Sequence, residues 1–305
     1  MRTPLIGSPD LSSRLGGAVH LKLESLQKTG SFKVRGAFNK ILSLGEEERR
    51  RGVITFSTGN HGKAVACAAG ESGIPVVVCV SEHVPSYRIE AIASYGAEVA
   101  VKGSSQDEAE ENYHRLQRDR ALVPVKPFDD PLIIAGQATI GLEIMEDLPG
   151  IDTVLVPLSG GGLLSGVALA LKSADPSIRV IAVSIERSPA MQESVKAGKA
   201  VVVEERDTLA DSLLGGIGQD NRYTLPMVGE LTDEFIAVSE QEIARGMSYA
   251  LEEHGLVLEG AGAVGIGALL AGKVGETGGC TAMVLSGASV DLPRYLDVVG
   301  RRIGK

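Results

Sequence analysis

The stretch "VITFSTGNHGKAVACAAGESGIPVVVCV", residues 53–80, decides the fold class. It begins with an apolar run rich in β-branched residues, continues through an alanine-rich segment that ends in glycine, and closes with a second apolar run. A strand, a helix closed by glycine and another strand form a β-α-β unit, which places the two strands parallel in one sheet. The sequence therefore predicts a parallel sheet in this region.

The same alternation of strand-like and helix-like segments continues along the rest of the chain. Further runs with the composition of strands occur at 18–24, 97–103, 152–159, 179–186, 232–240 and 280–290. Such alternation is typical of an α/β protein whose parallel sheets carry helices on their faces. We predict a small α/β domain at residues 51–130, inserted into a large domain made of residues 1–50 and 131–305.

Length, composition and charge narrow the class of protein. The 305 residues are 44% apolar and 23% charged, as in globular proteins, and the net charge of −9 gives no reason to expect a nucleic-acid partner. Cys67, Cys79 and Cys280 form no CxxC pair, so we predict neither a disulfide framework nor a zinc site. The first residues lack the apolar core of a signal peptide, and no run reaches the ~20 apolar residues of a membrane-spanning helix. We expect a cytoplasmic protein without a membrane partner.

A glycine-rich loop, "SGGGLLSG" at 159–166, follows one apolar run and opens a helix-like segment. Glycine frees backbone N–H groups and a helix N-terminus attracts anions, so the loop predicts a phosphate site. A tight turn without a ligand is the alternative. The spacing is not GxGxxG, and Glu186 lies 24 residues after Gly162, which disfavours a dinucleotide site but leaves a nicotinamide-dependent oxidoreductase open.

A second polar loop, "STGNHG" at 57–62, follows the strand-like run at 52–58. Its hydroxyl, amide and imidazole groups lie beside two glycines and come from Ser57, Thr58, Asn60 and His61. Ligands of α/β proteins bind at the carboxyl ends of the strands, and donors at this density suit a carboxylate. The alternative is a polar turn that caps the next helix.

Lys33 is the third candidate. It lies between Phe32 and Val34 in the helix-like segment "SFKVRGAFNKILSL", for which Ser31 is the predicted N-cap. An amine in apolar surroundings loses hydration, which favours its neutral form and lets it attack an aldehyde. A lysine that extends its ammonium into solvent is the alternative. An aldehyde for the lysine, a phosphate for one loop and a carboxylate for the other together indicate pyridoxal phosphate acting on an amino acid.

Five motifs occur in a fixed order along nearly the whole chain. They are "KLESLQKTGSFKVRGA" (22–37), "STGNHG" (57–62), "IAGQATIGLE" (134–143), "PLSGGGLLSG" (157–166) and "LSGASVD" (285–291). Together they resemble the fold-type II pyridoxal-phosphate enzymes, which include threonine and serine dehydratases, serine racemases and hydroxyaspartate dehydratases. The resemblance implies the tryptophan synthase β-like fold, with two open, twisted, mostly parallel sheets and helices on both faces. Segments 208–224 and 258–274 are further similar to hydroxyectoine-utilisation dehydratases.

The resemblance also implies roles toward pyridoxal phosphate. Lys33 would hold the cofactor as a Schiff base and act as the main acid and base, while Phe32 would pack beside the ring. Asn60 would hydrogen-bond the 3-hydroxyl group, and Ser286 would face the pyridine nitrogen. The phosphate would bind the backbone N–H groups of Gly160, Gly161, Gly162 and Leu163.

The substrate carboxylate would be held by the polar loop, through Ser57, Thr58, Asn60 and His61. Thr58 is also a candidate catalytic residue, because racemases of this family have a serine there as a second acid and base, whereas dehydratases have an alanine. The family's divalent-cation site would fall on Glu186, Ala190 and Gln192. The third of these positions lacks the family's aspartate, so we expect no metal.

The activity implied by the resemblance is that of an ammonia-lyase of the threonine dehydratase type. A β-hydroxy α-amino acid would undergo β-elimination to a 2-keto acid and ammonia in a homodimer. Hydroxyectoine itself is a cyclic amidine without a primary amine, so a hydroxyectoine-derived substrate would have an opened ring. The alternatives are a serine racemase, a threo-3-hydroxyaspartate dehydratase, a nicotinamide-dependent oxidoreductase and a non-catalytic amino-acid-binding protein.

Overall fold

The computed structural model of the chain describes residues 1–104, 106–275 and 277–303. Within this part the strands are β1 (Leu5–Gly7), β2 (Ala18–Lys22), β3 (Val53–Phe56), β4 (Val76–Val80), β5 (Glu98–Val101), β6 (Val123–Pro124), β7 (Thr153–Pro157), β8 (Arg179–Ile185), β9 (Glu234–Val238) and β10 (Cys280–Val284). The helices are α1 (Pro9–Leu15), α2 (Lys33–Leu42), α3 (Glu46–Arg51), α4 (Asn60–Glu71), α5 (Ser86–Ala93), α6 (Gln106–Asp119), α7 (Pro131–Asp147), α8 (Gly162–Ala174), α9 (Ala190–Ala197), α10 (Thr224–Leu231), α11 (Glu240–His254), α12 (Gly260–Leu270) and α13 (Leu292–Ile303). None of these helices is long and apolar enough to cross a membrane.

The larger of two compact units comprises residues 1–32 and 137–305. Its sheet has the order β1-β2-β10-β7-β8-β9, and every neighbouring pair is parallel except β1 with β2. Successive side chains of β7 point to opposite faces: Val154 and Val156 belong to one buried cluster and Leu155 to the other. The first cluster includes residues of α8 and the second includes residues of α11 and α12. Helices therefore cover both faces of this sheet.

The smaller unit comprises residues 33–136. Its sheet has the order β5-β4-β3-β6 with parallel neighbours throughout. Side chains of β4 alternate in the same way, since Val78 packs with α2 and α4 whereas Cys79 packs near α6. Cys67 and Cys79 are fully buried, as expected for cysteines that act as small apolar residues.

The predicted fold class is confirmed, with two open, mostly parallel sheets that carry helices on both faces. The predicted domain ranges stay a prediction, and α2 and α3 belong to the smaller unit. The predicted N-cap at Ser31 is wrong. Ser31 forms an isolated β-bridge with Gly287, its buried hydroxyl has no hydrogen-bond partner among the described residues, and α2 begins at Lys33. Extended pairing with Gly287 holds Ser31 outside the helix.

Candidate active site

The predicted site residues divide between the two units. Those in the smaller unit are Lys33, Ser57, Thr58, Asn60 and His61, and those in the larger unit are Phe32, Gly160, Gly161, Gly162, Leu163 and Ser286. Each unit therefore contains some of the sequence-predicted site residues.

Lys33 is the first residue of α2, and its side chain is half-buried. Its Nζ donates a 2.8 Å hydrogen bond to the carbonyl oxygen of Pro127. The next turn of α2 is anchored by Val34 and Ala37, which are buried in the same apolar cluster as residues of α4. The amine is thus held against the backbone of its own unit by a defined acceptor, not extended along the surface.

His61 lies in the first turn of α4 and is only 4% exposed. Burial, reinforced by the positive charge of Lys33, lowers the pKa of His61 to about 3, although a hydrogen bond with Val125 opposes the shift. The imidazole is therefore neutral near pH 7. Its Nε2 lies 3.0 Å from the carbonyl oxygen of Val125, and because a carbonyl can only accept, we assign the ring proton to Nε2. The one N–H of the neutral ring is then used within the protein, and binding of a substrate carboxylate by His61 stays a prediction.

The polar loop at 57–62 joins β3 to α4 by a tight turn. The N–H of Gly59 donates to Ser57 Oγ at 3.4 Å, and α4 begins at Asn60. A Cβ atom on Gly62 would lie 2.4 Å from the carbonyl oxygen of Ser57, so a side chain at that position would force the turn open. Ser57 and Thr58 are half-buried. The loop thus presents two hydroxyl groups at the carboxyl end of β3, where the sequence predicted a carboxylate site.

The glycine loop of the larger unit joins β7 to α8. Gly161 has φ = 86°, and a Cβ atom there would lie 2.9 Å from side-chain atoms of both Met191 and Val228. Glycine is therefore required by the backbone conformation and by the close packing.

The first turn of α8 is buried, from Gly162 through Ser165. The first N–H groups of a helix have no acceptor within the helix, and buried N–H groups need a partner. The Ser165 hydroxyl is also fully buried and has no hydrogen-bond partner in the part of the chain that the structure describes. Buried donors at a helix N-terminus fit a phosphate group.

Ser286 lies at the same edge of the larger sheet as the glycine loop, because it follows β10 and the loop follows the adjacent parallel strand β7. Ser286 is 3% exposed, and its carbonyl oxygen accepts a 3.1 Å hydrogen bond from the N–H of Phe32. Buried Glu259 points to the same loop, since its Oε2 accepts from the N–H of Ser289 at 3.2 Å. The structure therefore brings Phe32 and Ser286 together through the backbone.

Two of the three positions of the family's cation site, at which the sequence led us to expect no metal, form hydrogen bonds within the protein. The Ala190 carbonyl oxygen accepts a 2.7 Å hydrogen bond from Ser194 Oγ, and Glu186 Oε1 accepts from Lys273 Nζ at 3.1 Å. Among the described residues, no group of three or more His, Cys, Asp or Glu side chains could hold a metal ion. The expectation that no metal binds at these positions stays a prediction.

Some neighbours of the site were not identified from the sequence. Pro127 and Val125 act through backbone carbonyl groups, which the side-chain pattern does not reveal. Ser165 belongs to the quoted motif "SGGGLLSG" but was given no role, although its place in the first helical turn was a usable signal.

The chain is similar to known proteins over nearly its whole length. The sequence matches the family profile described as "Pyridoxal-phosphate dependent enzyme" over residues 1–287. It is 46% identical over 304 residues to an L-threonine ammonia-lyase of Thermotoga maritima, covering 100% of this chain and 75% of that protein. It is 38% identical over 301 residues to a catabolic L-threonine dehydratase of Escherichia coli, covering 98% of this chain and 91% of that protein. The structure of maize serine racemase has a TM-score of 0.92 at 34% identity, covering 100% of this chain and 93% of that one.

Proposed function

This chain belongs to the pyridoxal-phosphate-dependent enzymes, and from that premise we propose that it converts a β-hydroxy α-amino acid to a 2-keto acid and ammonia. It is a lyase of the threonine dehydratase type that acts by β-elimination. The observation that carries the proposal is Lys33 Nζ, a half-buried amine at a helix start, held 2.8 Å from the Pro127 carbonyl beside a neutral His61.

The residues present fit pyridoxal phosphate. The buried first turn of α8, with the orphaned hydroxyl of Ser165, supplies donors for the phosphate group. In this proposal the N–H groups from Gly160 to Leu163 bind the phosphate, Ser286 faces the ring nitrogen, Asn60 bonds the ring hydroxyl and Phe32 packs against the ring. When bound, pyridoxal phosphate holds the substrate amine covalently and withdraws electrons from its α-carbon.

In this proposal Lys33 carries out the proton transfers. Its neutral amine removes the proton from the α-carbon, and the electron pair of that bond forms a double bond to the β-carbon. The β-hydroxyl group leaves with its bonding electrons and takes up the proton that Lys33 removed, so that water forms and the amine of Lys33 is neutral again. The released enamine tautomerises to an imine, and water hydrolyses this imine to the 2-keto acid and ammonia.

In this proposal the polar loop at 57–62 orients the substrate. The hydroxyl groups of Ser57 and Thr58 and the amide of Asn60 hold the carboxylate, so that the α-proton faces Lys33. His61 holds the loop in place, because its N–H donates a hydrogen bond to the carbonyl oxygen of Val125.

For the substrate we propose a ring-opened derivative of hydroxyectoine, an acetylated 2,4-diamino-3-hydroxybutyrate with a free α-amine. The proposal is supported by the similarity of segments 208–224 and 258–274 to hydroxyectoine-utilisation dehydratases. These segments pack closely, since a Cβ atom on Gly260 would lie 2.3 Å from the Leu209 carbonyl oxygen. The closed ring has no primary amine and cannot react with an aldehyde in the required way.

The test is a substrate panel with the cofactor-saturated enzyme. L-threonine, L-serine, threo-3-hydroxyaspartate, both acetylated ring-opened isomers and intact hydroxyectoine are each assayed for ammonia and keto acid. We expect the highest kcat/KM with a ring-opened isomer and none with the intact ring. If threonine is preferred, the hydroxyectoine assignment is wrong while the lyase assignment stands. Absence of keto acid with every compound contradicts both.

A racemase is the second candidate, because the hydroxyl group of Thr58 could serve as the second acid and base that a racemase needs. The similarity to maize serine racemase is consistent with this candidate. Incubation with L-serine followed by chiral separation decides between them: D-serine without pyruvate indicates a racemase, whereas pyruvate and ammonia indicate the lyase.

We also propose that the enzyme works as a homodimer in the cytoplasm. The support is the resemblance to fold-type II enzymes and the absence, among the described residues, of a helix that could cross a membrane. Light scattering of the cofactor-loaded protein should give twice the chain mass of 31.8 kDa. A monomeric mass contradicts the dimer.

A further inference from the structure

Lys273, just beyond the end of α12, joins three elements of the larger unit through one ammonium group. Its Nζ donates to Glu186 Oε1 at 3.1 Å, to the Ala237 carbonyl oxygen at 2.8 Å and to Glu242 Oε2 at 2.7 Å. Glu186 follows β8, Ala237 lies in β9 and Glu242 lies in the first turn of α11. A lysine ammonium has three N–H donors, and all three are satisfied here.

The acceptors around Lys273 are the oxygen ligands that hard divalent cations bind, two carboxylates and a backbone carbonyl. Glu242 also stabilises the N-terminus of α11. Glu242 Oε2 accepts from the N–H of Ser239 at 2.7 Å and forms the capping box of α11 with that residue. Although burial opposes the shifts, the hydrogen bond between the two residues contributes to a raised pKa of Lys273 and a lowered pKa of Glu242.

We propose that the ammonium group of Lys273 permanently occupies a position, among these three acceptors, that a divalent metal ion would otherwise fill. A metal ion at the two carboxylates would have to displace the ammonium, since two cations a few ångströms apart repel each other. The enzyme is therefore indifferent to divalent cations. Replacing Lys273 by a neutral side chain removes the ammonium from Glu186, Glu242 and the Ala237 carbonyl, so that these three groups can bind Ca²⁺ or Mg²⁺.

Thermal unfolding of the pyridoxal-phosphate-loaded protein tests this inference independently of the substrate. Wild-type protein should unfold at the same Tm in EDTA and in 5 mM CaCl₂ or MgCl₂. Lys273→Met should have a lower Tm in EDTA and regain about 4 °C in 5 mM CaCl₂, as expected for a site filled at about 100 times its Kd. Lys273→Arg keeps the positive charge and should not respond to the ion.

The double variant Lys273→Met/Glu186→Gln is the matched control, because it removes one carboxylate from the new site. We expect its Tm to respond to Ca²⁺ by less than a third of the Lys273→Met response. A wild-type Tm that falls in EDTA or rises in CaCl₂ overturns the proposal. A Lys273→Met protein that folds but shows no greater response than wild type overturns it as well.

Discussion

The Nζ atom of Lys33 and the carbonyl oxygen of Pro127 lie 2.8 Å apart, although 94 positions separate the two residues in the sequence. The carbonyl belongs to the segment that follows β6, and Val125 in the same segment accepts from His61. One short piece of backbone therefore positions both the amine of Lys33 and the imidazole of His61.

Replacing Lys33 by alanine should abolish turnover and covalent attachment of pyridoxal phosphate. Loss of the amine removes the base for the α-proton, so kcat should fall by about 10³-fold or more. Borohydride reduction followed by peptide mass spectrometry should show the added cofactor mass on Lys33 in wild type and on no peptide of the variant. The control is Lys196→Ala, an exposed lysine paired with Glu193, which should keep both the label and the activity. A labelled, active Lys33→Ala protein contradicts the assignment.

Gly161→Ala should weaken binding of the cofactor. A residue other than glycine at φ = 86° costs about 1–3 kcal/mol, and the new methyl group would also press on Met191 and Val228. We expect the Kd for pyridoxal phosphate to rise about tenfold or more. Gly150→Ala is the matched control in the same unit, because a Cβ atom there meets no other atom within 4 Å. Equal cofactor affinity of the two variants, measured by absorbance titration, would show that the glycine loop does not bind the phosphate.

His61 should make the protein less stable as the pH falls. Its pKa in the folded protein is about 3, against 6.5 for the ordinary imidazole, so between these values the unfolded chain binds a proton that the folded protein does not. Stability is then lost as the pH decreases below 6.5, by about 1.4 kcal/mol for each pH unit. Urea unfolding at pH 7.5 and pH 5.0 should show a decrease about 2 kcal/mol larger in wild type than in His61→Gln.

The matched control for this pH effect is His114→Gln in the same unit, because the side chain of His114 is half-exposed. His114→Gln should retain the pH dependence of wild type, because it leaves His61 in place. The titrations of the carboxylates are common to wild type, His61→Gln and His114→Gln and therefore cancel in the comparison. A decrease in stability that is equal in wild type and His61→Gln contradicts the neutral, buried imidazole.

Thr58→Ala separates the two activities considered for this site. If Thr58 only helps to hold the carboxylate, keto-acid formation should fall by no more than about tenfold, whereas any conversion of L-serine to D-serine should fall by about 10². Thr58→Ser keeps the hydroxyl group and should retain both activities. The measurement is keto acid by a coupled assay together with chiral analysis of the remaining amino acid. A loss of keto acid as large as that of Lys33→Ala, restored by serine, would make the hydroxyl part of the elimination itself.

Some features of the site followed from local sequence because their physical causes are local. The run Val76–Val80 has the composition of a buried strand, and the glycines at 160–162 permit a sharp turn into a helix. Both were predicted without knowledge of any neighbour. The predicted N-cap at Ser31 is wrong, because the conformation of Ser31 depends on pairing with Gly287, more than 250 positions away.

The protonation state of His61 was equally inaccessible from the sequence. His61 was assigned to the substrate carboxylate as one of several polar donors in the loop and by resemblance to the family, and neither basis gives its charge. In the structure, burial and the nearby Lys33 keep the ring neutral, and its Nε2–H donates a hydrogen bond to the carbonyl oxygen of Val125. The burial of His61 and its proximity to Lys33 depend on the packing of α2 with α4.

The sequence by itself determined the α/β class and the alternation of strands and helices, because periodicity is a property of short segments. Its motifs predicted the two ligand loops, and their resemblance to a cofactor-dependent family, to which the chain belongs, predicted the role of Lys33. Only the tertiary structure decided which partners those side chains meet. Lys273 contacts oxygens that lie 87, 36 and 31 positions away, and no local pattern links them. Electrostatic and hydrogen-bond energies depend on distances of a few ångströms, and only folding brings such remote residues that close together.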